Sequence, residues 1–304
     1  MKNYNFLMSK KYFVTFGSKD FKLQRKHIAN LVKNSGFYDE AIEMGPEDLT
    51  PDFRNKFSEI LKINRGYGFW IWKVDVLNQL LSEINFGDTI TYSSAGSSFN
   101  PLGADRLKYY FELLESSESG NLRFKLPTHK EFEWTSKQIF DYFKVDVNSK
   151  IARSSQLSSN TIFMKKNETS LNIVNGFLDI INHDPKLITL EYDKMNQIDG
   201  FIENRSDQSI LSILSKLYGV ETILDQEQNF NQFDMNQFNY PFLTVRKRKY
   251  NIFSKLLFLL NYKKRINSPI YFYRKITIMD KLIYHMKREK IKEHLKKLLR
   301  LLKG

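Results

Sequence analysis

Cysteine is absent from the 304-residue chain. Disulfides and cysteine-ligated zinc are therefore excluded, and the absence fits a reducing compartment. Long apolar runs are missing too. The longest, Leu256 to Leu260, falls far short of the roughly 20 apolar residues that a membrane-spanning helix needs. Met1 to Lys11 has no apolar core and no small-residue cleavage site, so no signal peptide is expected there. Histidine is scarce: His27, His129, His183, His285 and His294 show no metal-ligand spacing. There is no Gly-x-Ser-x-Gly elbow, P-loop, Gly-x-Gly-x-x-Gly fingerprint or internal repeat.

What is present is a globular composition. The 25 Phe and 16 Tyr are too many for a disordered chain, and the length suits one large core plus an appendage. The net charge of +13 is unevenly placed. Residues 246–304 hold 19 Lys and Arg against 3 Asp and Glu, a net of +16. Residues 1–245 then hold 28 basic and 31 acidic groups, a net of −3. This split predicts a nearly neutral domain over 1–245 and a cationic appendage over 246–304 that meets an anionic partner.

Along the domain, strand and helix patterns alternate. Lys11 to Phe16 reads as a buried strand closed by Gly17-Ser18, and Asp20 to Asn34 as a helix. Further strands are expected at Asp39 to Met44, Asp88 to Tyr92, Leu122 to Leu126, Thr161 to Met164 and Thr222 to Leu224. Helices are expected from Thr50, with Pro51 at its first position, to Ile63, and at 69–84, 101–114, 134–143, 169–181 and 206–217. The expected class is an α/β mixed sheet flanked by helices, with ligands beyond the strand carboxyl ends.

Four segments can carry chemistry. In Arg65-Gly66-Tyr67-Gly68-Phe69-Trp70-Ile71-Trp72-Lys73, two glycines permit a tight turn, aromatic rings can cover a base or sugar, and the end cations can meet phosphates. The same pattern suits a helix start whose tryptophans fill the core. Gly87-Asp88 leads through Tyr92 into the small-residue loop Ser93 to Ser98, where Ser94, Gly96 and Ser97 can hold a diphosphate or form a plain turn. Arg153 to Asn160, with Gln156, is a polar pocket edge or a plain loop. Asn204-Arg205-Ser206-Asp207-Gln208 starts a helix, where capping alone explains the acid and catalysis is the alternative. Glu191-Tyr192-Asp193 adds Asp193 as a candidate metal ligand, although it does not end a strand.

In this order, the strand at Tyr12 to Phe16, the Arg65–Lys73 segment, the Gly87-Asp88 to Ser97 segment, Glu133-Trp134-Thr135, Gln156 with Ser159-Asn160, and Arg205 to Ser209 resemble glycosyltransferases of bacterial capsule and O-antigen clusters. The match covers residues 10–245. The resemblance implies a GT-A-like fold, a nucleotide-sugar donor and hexosyltransferase-type activity on a glycan or polyprenyl-diphosphate-linked acceptor. It implies donor binding by Arg65, Tyr67, Lys73, Ser94, Gly96, Ser97, Gln156 and Arg205, with Asp207 and Gln208 catalytic. Such enzymes use Mg²⁺ or Mn²⁺, but Ser94 stands where a metal-binding acid is expected, and Leu243-Thr244-Val245-Arg246 replaces an expected histidine. Metal dependence is therefore in doubt, with Asp193 and Asp207 as remaining candidates and Arg65, Lys73 or Arg246 as substitutes for the cation.

The appendage has helix periodicity from Ile276 to Leu302, with Leu and Met on one face and Lys and Arg on the other. A basic amphipathic helix of this kind suits an anionic membrane surface, here the cytoplasmic inner face. Helix packing and nucleic-acid binding are the competing uses, the latter disfavoured because the domain itself is not basic. Two other classes stand beside the enzyme: an inactive GT-A-like binding protein, and a membrane or nucleic-acid module acting through the tail.

Overall fold

The computed structural model describes residues 9–224, 227–228 and 239–244. The predicted amphipathic tail, 246–304, lies outside the described residues.

Strand alternation builds two apolar layers. In β1 (Lys11–Phe16), Phe13 enters one cluster while Val14 and Phe16 enter the other. Successive side chains of a strand point to opposite faces, so one strand feeds both layers. The other strands of the main sheet are β2 (Glu40–Met44), β3 (Thr89–Ser93), β5 (Asn121–Lys130), β6 (Ser155–Lys165) and β7 (Glu221–Leu224). Two short strands, β4 (Ser98–Phe99) and β8 (Phe242–Leu243), pair antiparallel on their own. The main sheet runs β2-β1-β3-β6-β5-β7. Only β6 runs against its neighbours, so this is the mixed sheet with flanking helices that the sequence predicts.

One layer contains the helices Trp72–Glu83, Glu168–His183 and Asp207–Tyr218; the other contains Lys22–Lys33 and Ala104–Ser116. Several boundaries differ from expectation. The helix capped by Thr50 breaks at Phe57 into Pro51–Lys56 and Ser58–Leu61, where the Phe57 backbone leaves the helical range at φ −105° and ψ 22°. Strand β5 runs on to Lys130 through two register shifts, the second of which spans Pro127, which has no N–H for the ladder.

The largest difference is at Arg153 to Asn160, where a loop was expected. Ser155 to Asn160 is the first half of β6. Gln156, Ser158 and Ser159 are buried there, against a helix that is polar on that side. Ser209, Ser212 and Ser215 recur at helical spacing, all fully buried. The Ser212 Oγ accepts from Leu157 N–H (2.9 Å), and the Ser215 Oγ accepts from the buried Arg123 (3.1 Å). A polar seam therefore joins helix Asp207–Tyr218 to β5 and β6.

Candidate functional site

Chain order places the site. From β1 the chain steps outward to β2, then returns to add β3 on the other side of β1. Where a parallel sheet reverses its winding, the loops leaving the two carboxyl ends diverge and open a crevice. Here those loops begin at Gly17 and Ser94. Both line a cavity of about 630 Å³, together with Phe16, Tyr67, Trp70 and Gly96. A second lobe of about 400 Å³ shares Trp70 and Ser94 with it. Arg65, Lys73, Arg205, Asp207 and Gln208 line the second lobe.

The ridge between the lobes is a left-handed turn. All five residues from Gly66 to Trp70 have φ between 53° and 84°. Three of them carry side chains, and each costs roughly 1–2 kcal/mol in that conformation. The Phe69 N–H donates to Arg65 O (2.7 Å), and the Trp72 indole donates to Gly66 O (2.9 Å). Burial of Phe69 in the core adds to these. Glycine is needed at 68, where a Cβ would lie 2.9 Å from the Ile60 carbonyl oxygen. The helix expected from Phe69 therefore begins only at Trp72. The turn sends Tyr67 to the larger lobe and Arg65 to the smaller.

The floor of the smaller lobe is the start of helix Asp207–Tyr218. Gln208 N–H donates to Arg205 O (3.1 Å), closing a turn in which Ser206 has φ 56° and ψ −126°. Those angles belong to the first central position of a type II′ turn, usually glycine. Asp207 then forms an ion pair with Lys73, and both are almost completely buried. The Lys73 ammonium also donates to Ser159 O (2.8 Å) and lies 4.9 Å from the centre of the Tyr92 ring. Burial pulls the Lys73 pKa down, and Asp207 opposes that shift. Beneath them, burial lowers the Arg123 guanidinium to about 10, against the attraction of Asp207 and Glu131. It stays charged at neutral pH.

Gln208 is oriented from behind. Its Oε1 accepts from Ser159 N–H (3.3 Å), and its Nε2 donates to Gln156 Oε1 (2.6 Å). Gln156 in turn donates to Glu131 Oε1 (3.1 Å) and Trp134 O (3.1 Å). Gln208 keeps one N–H and a carbonyl lone pair for a ligand. At the rim, Arg65 pairs with Glu203. Arg205 lies over the Trp134 ring (4.1 Å) and reaches His129 Nε2 (3.3 Å). Arginine only donates, so Nε2 accepts and the imidazole proton sits on Nδ1, beside Thr128 Oγ1 (3.0 Å). Burial, then Arg205, lowers the His129 pKa, while Glu133 opposes them.

Of the predicted residues, Arg65, Tyr67, Lys73, Ser94, Gly96, Arg205, Asp207 and Gln208 converge on the two lobes. Three expectations of position need correction. Gln156 is fully buried behind Gln208, so it orients that amide instead of facing a ligand. Ser97 is fully buried, its Oγ accepting from Asn160 (3.1 Å). Asp193 sits in an exposed loop outside both lobes, where its carboxylate accepts from Met195 N–H (2.9 Å). Sequence reasoning missed Glu203 and His129. Only the first had a signal, as an acid two residues before Arg205.

No protein-family model matches the chain, and no curated protein matches its sequence. Among solved structures it is similar to mouse xyloside xylosyltransferase 1 in the apo form, at 8% identity over 80% of this chain and 98% of that one, with a TM-score of 0.40. It is also similar to a glycosyltransferase involved in the glycosylation of the major capsid of PBCV-1, at 9% identity, 79% and 95% coverage and a TM-score of 0.46. A third is the apo glycosyltransferase GlyE of Streptococcus pneumoniae TIGR4, at 14% identity, 79% and 55% coverage and a TM-score of 0.43. All three are glycosyltransferases. Among the described residues, no helix is long and apolar enough to cross a membrane.

No all-protein cage for a divalent cation is present among the described residues. No three His, Asp or Glu converge among the described residues. In the smaller lobe Asp207 is committed to Lys73 and Glu203 to Arg65. Ser94 contributes a neutral hydroxyl where an acid was expected.

Proposed function

We propose that the chain is a glycosyltransferase that moves a hexosyl group from a nucleotide-sugar donor to a glycan acceptor. The observation that carries this reading is the crevice at the β1/β3 reversal. One lobe is aromatic, and the other sets two arginines beside a carboxylate and a carboxamide. The nucleoside lies in the larger lobe against Tyr67 and Trp70. The diphosphate spans the shared wall at Ser94, within reach of Arg65 and Arg205. The sugar lies over Asp207 and Gln208.

In transfer, the bond from the anomeric carbon to the phosphate oxygen breaks, and its electron pair leaves with the diphosphate. The acceptor oxygen bonds the anomeric carbon, and its proton passes to the departing diphosphate. Arginines at the diphosphate stabilise the charge that develops there, which suits bidentate guanidinium contacts. Lys73 acts indirectly in this reading: paired with Asp207, it fixes the carboxylate at the helix start. Turnover without a metal is part of this reading.

The cationic segment 246–304 suits an anionic membrane surface, where a polyprenyl-diphosphate-linked acceptor of capsule or O-antigen type is presented. That places the enzyme at the inner face of the membrane.

The test is a thermal-shift screen of UDP-, GDP-, CMP- and dTDP-sugars, since a ligand selective for the native state raises its apparent stability. Donor hydrolysis is then measured in EDTA and with added Mn²⁺. A shift with one nucleotide family, and turnover in EDTA that falls in Arg65→Ala and Asp207→Asn, is expected. Silence across the screen would leave a lapsed binding protein or a tail-driven module. Turnover that appears only with Mn²⁺ would overturn the arginine assignment.

A further inference from the structure

Ser206 is a cleft residue that the proposed chemistry leaves unused. It lines the smaller lobe between Arg205 and Asp207 and is 1% exposed. Its Oγ is buried and has no hydrogen-bond partner among the described residues. A buried hydroxyl without a partner carries a desolvation penalty. The backbone adds a second penalty, because φ 56° and ψ −126° is a conformation that glycine adopts freely and serine does not. The fold of the unliganded protein therefore gains nothing visible from this side chain, and a glycine would serve the turn better.

Neighbouring polar groups are committed. Asp207 holds Lys73, and Gln208 holds Ser159 and Gln156. No histidine or carboxylate accepts from the Ser206 hydroxyl among the described residues, so nothing activates it as a nucleophile. A neutral hydroxyl that can donate and accept suits another hydroxyl.

We propose that Ser206 Oγ is a binding contact for a ring hydroxyl of the transferred sugar, carried into the lobe by the type II′ turn at the helix start. The assignment rests on the glycosyltransferase reading above. It makes the strained serine a specificity element: a sugar that presents a hydroxyl there satisfies the buried Oγ, and a deoxy analogue leaves it unpaired.

The full chain is compared with Ser206→Gly and Ser206→Ala by thermal unfolding, alone and with UDP-glucose against UDP and GDP-mannose against GDP. Without ligand, Ser206→Gly is expected to raise Tm by about 2–4 °C, as relief of strain outweighs the extra freedom of glycine when unfolded. Ser206→Ala, which keeps the Cβ, is expected to stay near the wild-type value. With ligand, the shift that the sugar adds over the bare nucleotide is expected to vanish in both variants, while the nucleoside diphosphate shift persists. Affinity for the nucleotide sugar should fall by roughly 3- to 10-fold, the worth of one neutral hydrogen bond.

A Tm for unliganded Ser206→Gly at or below the wild-type value would overturn the proposal, because the side chain would then be serving the fold. A sugar increment retained in both variants would overturn it with the parent reading intact. A wild-type protein that responds to neither nucleotides nor nucleotide sugars would bring down the parent reading and this one together.

Discussion

Replacing Lys73 by methionine isolates the buried ion pair from everything else at the site. The methionine keeps most of the unbranched stem, so packing changes little. What changes is the partner of Asp207, which is 3% exposed and cannot recruit bulk water. Removing one member of a buried pair costs about 3–5 kcal/mol, since the remaining charge stays desolvated. The hydrogen bond to Ser159 O is lost as well. Against a total stability of roughly 5–15 kcal/mol, that is a large fraction. Lys73→Met with Asp207→Leu removes both charges and should recover all but about 1 kcal/mol. The assay is equilibrium unfolding in urea, read as a midpoint shift at unchanged slope. A Lys73→Met protein within about 1 kcal/mol of wild type would refute the reasoning. Its ammonium would then spend its time in the cleft, and the loss would appear in diphosphate binding instead.

Four further outcomes are expected. Arg65→Ala should leave stability within about 1 kcal/mol, because its pair with Glu203 is solvent-exposed, while the dissociation constant for a nucleoside diphosphate rises. Arg205→Ala should weaken the same binding by roughly 10- to 100-fold, the range for a charge-assisted hydrogen bond, and calorimetry reads both. Gly68→Ala forces a Cβ against the Ile60 carbonyl at φ +84° and should cost about 1–3 kcal/mol in urea unfolding. His129 has a folded pKa below its ordinary 6.5, so the unfolded chain binds more protons in that window. Stability should therefore be unaffected by His129 above pH 6.5 and fall as pH drops below it, and His129→Gln should flatten that acid slope in thermal scans.

The residues that proved legible are those whose pattern has one physical meaning. Phe13 and Val14 alternate across a sheet with two buried faces, and Thr50-Pro51 caps a helix whether or not it later breaks. Arg65, Ser94, Arg205 and Asp207 were legible as site candidates because glycines, small hydroxyls and a helix start surround them. The partner of Lys73 was not: it lies 134 residues away, and only the closed sheet brings the two together. Five consecutive positive φ values were hidden too, because Tyr67, Phe69 and Trp70 do not favour them locally.

The misread strand at Ser155 to Asn160 shows why the rest was hidden, and what the site requires. Its residues looked like a loop because polar residues are expected outside. Gln156, Ser158 and Ser159 are inside because Ser212 bonds the strand at Leu157 and Arg123 joins Ser215 to Ser158 O. Glu131 is fully buried and takes Ser212, Lys216, Thr135 and Gln156 at once. Such a seam is costly unless every group is paired, and once paired it is stiff. That stiffness holds Gln208 through Gln156 and holds Asp207 through Lys73, so the polar atoms under the cleft cannot turn to follow a ligand. A cleft floor of this kind selects its ligand by position. It therefore matters that, among the described residues, the buried, strained hydroxyl of Ser206 is the one beside Asp207 that the seam leaves unpaired.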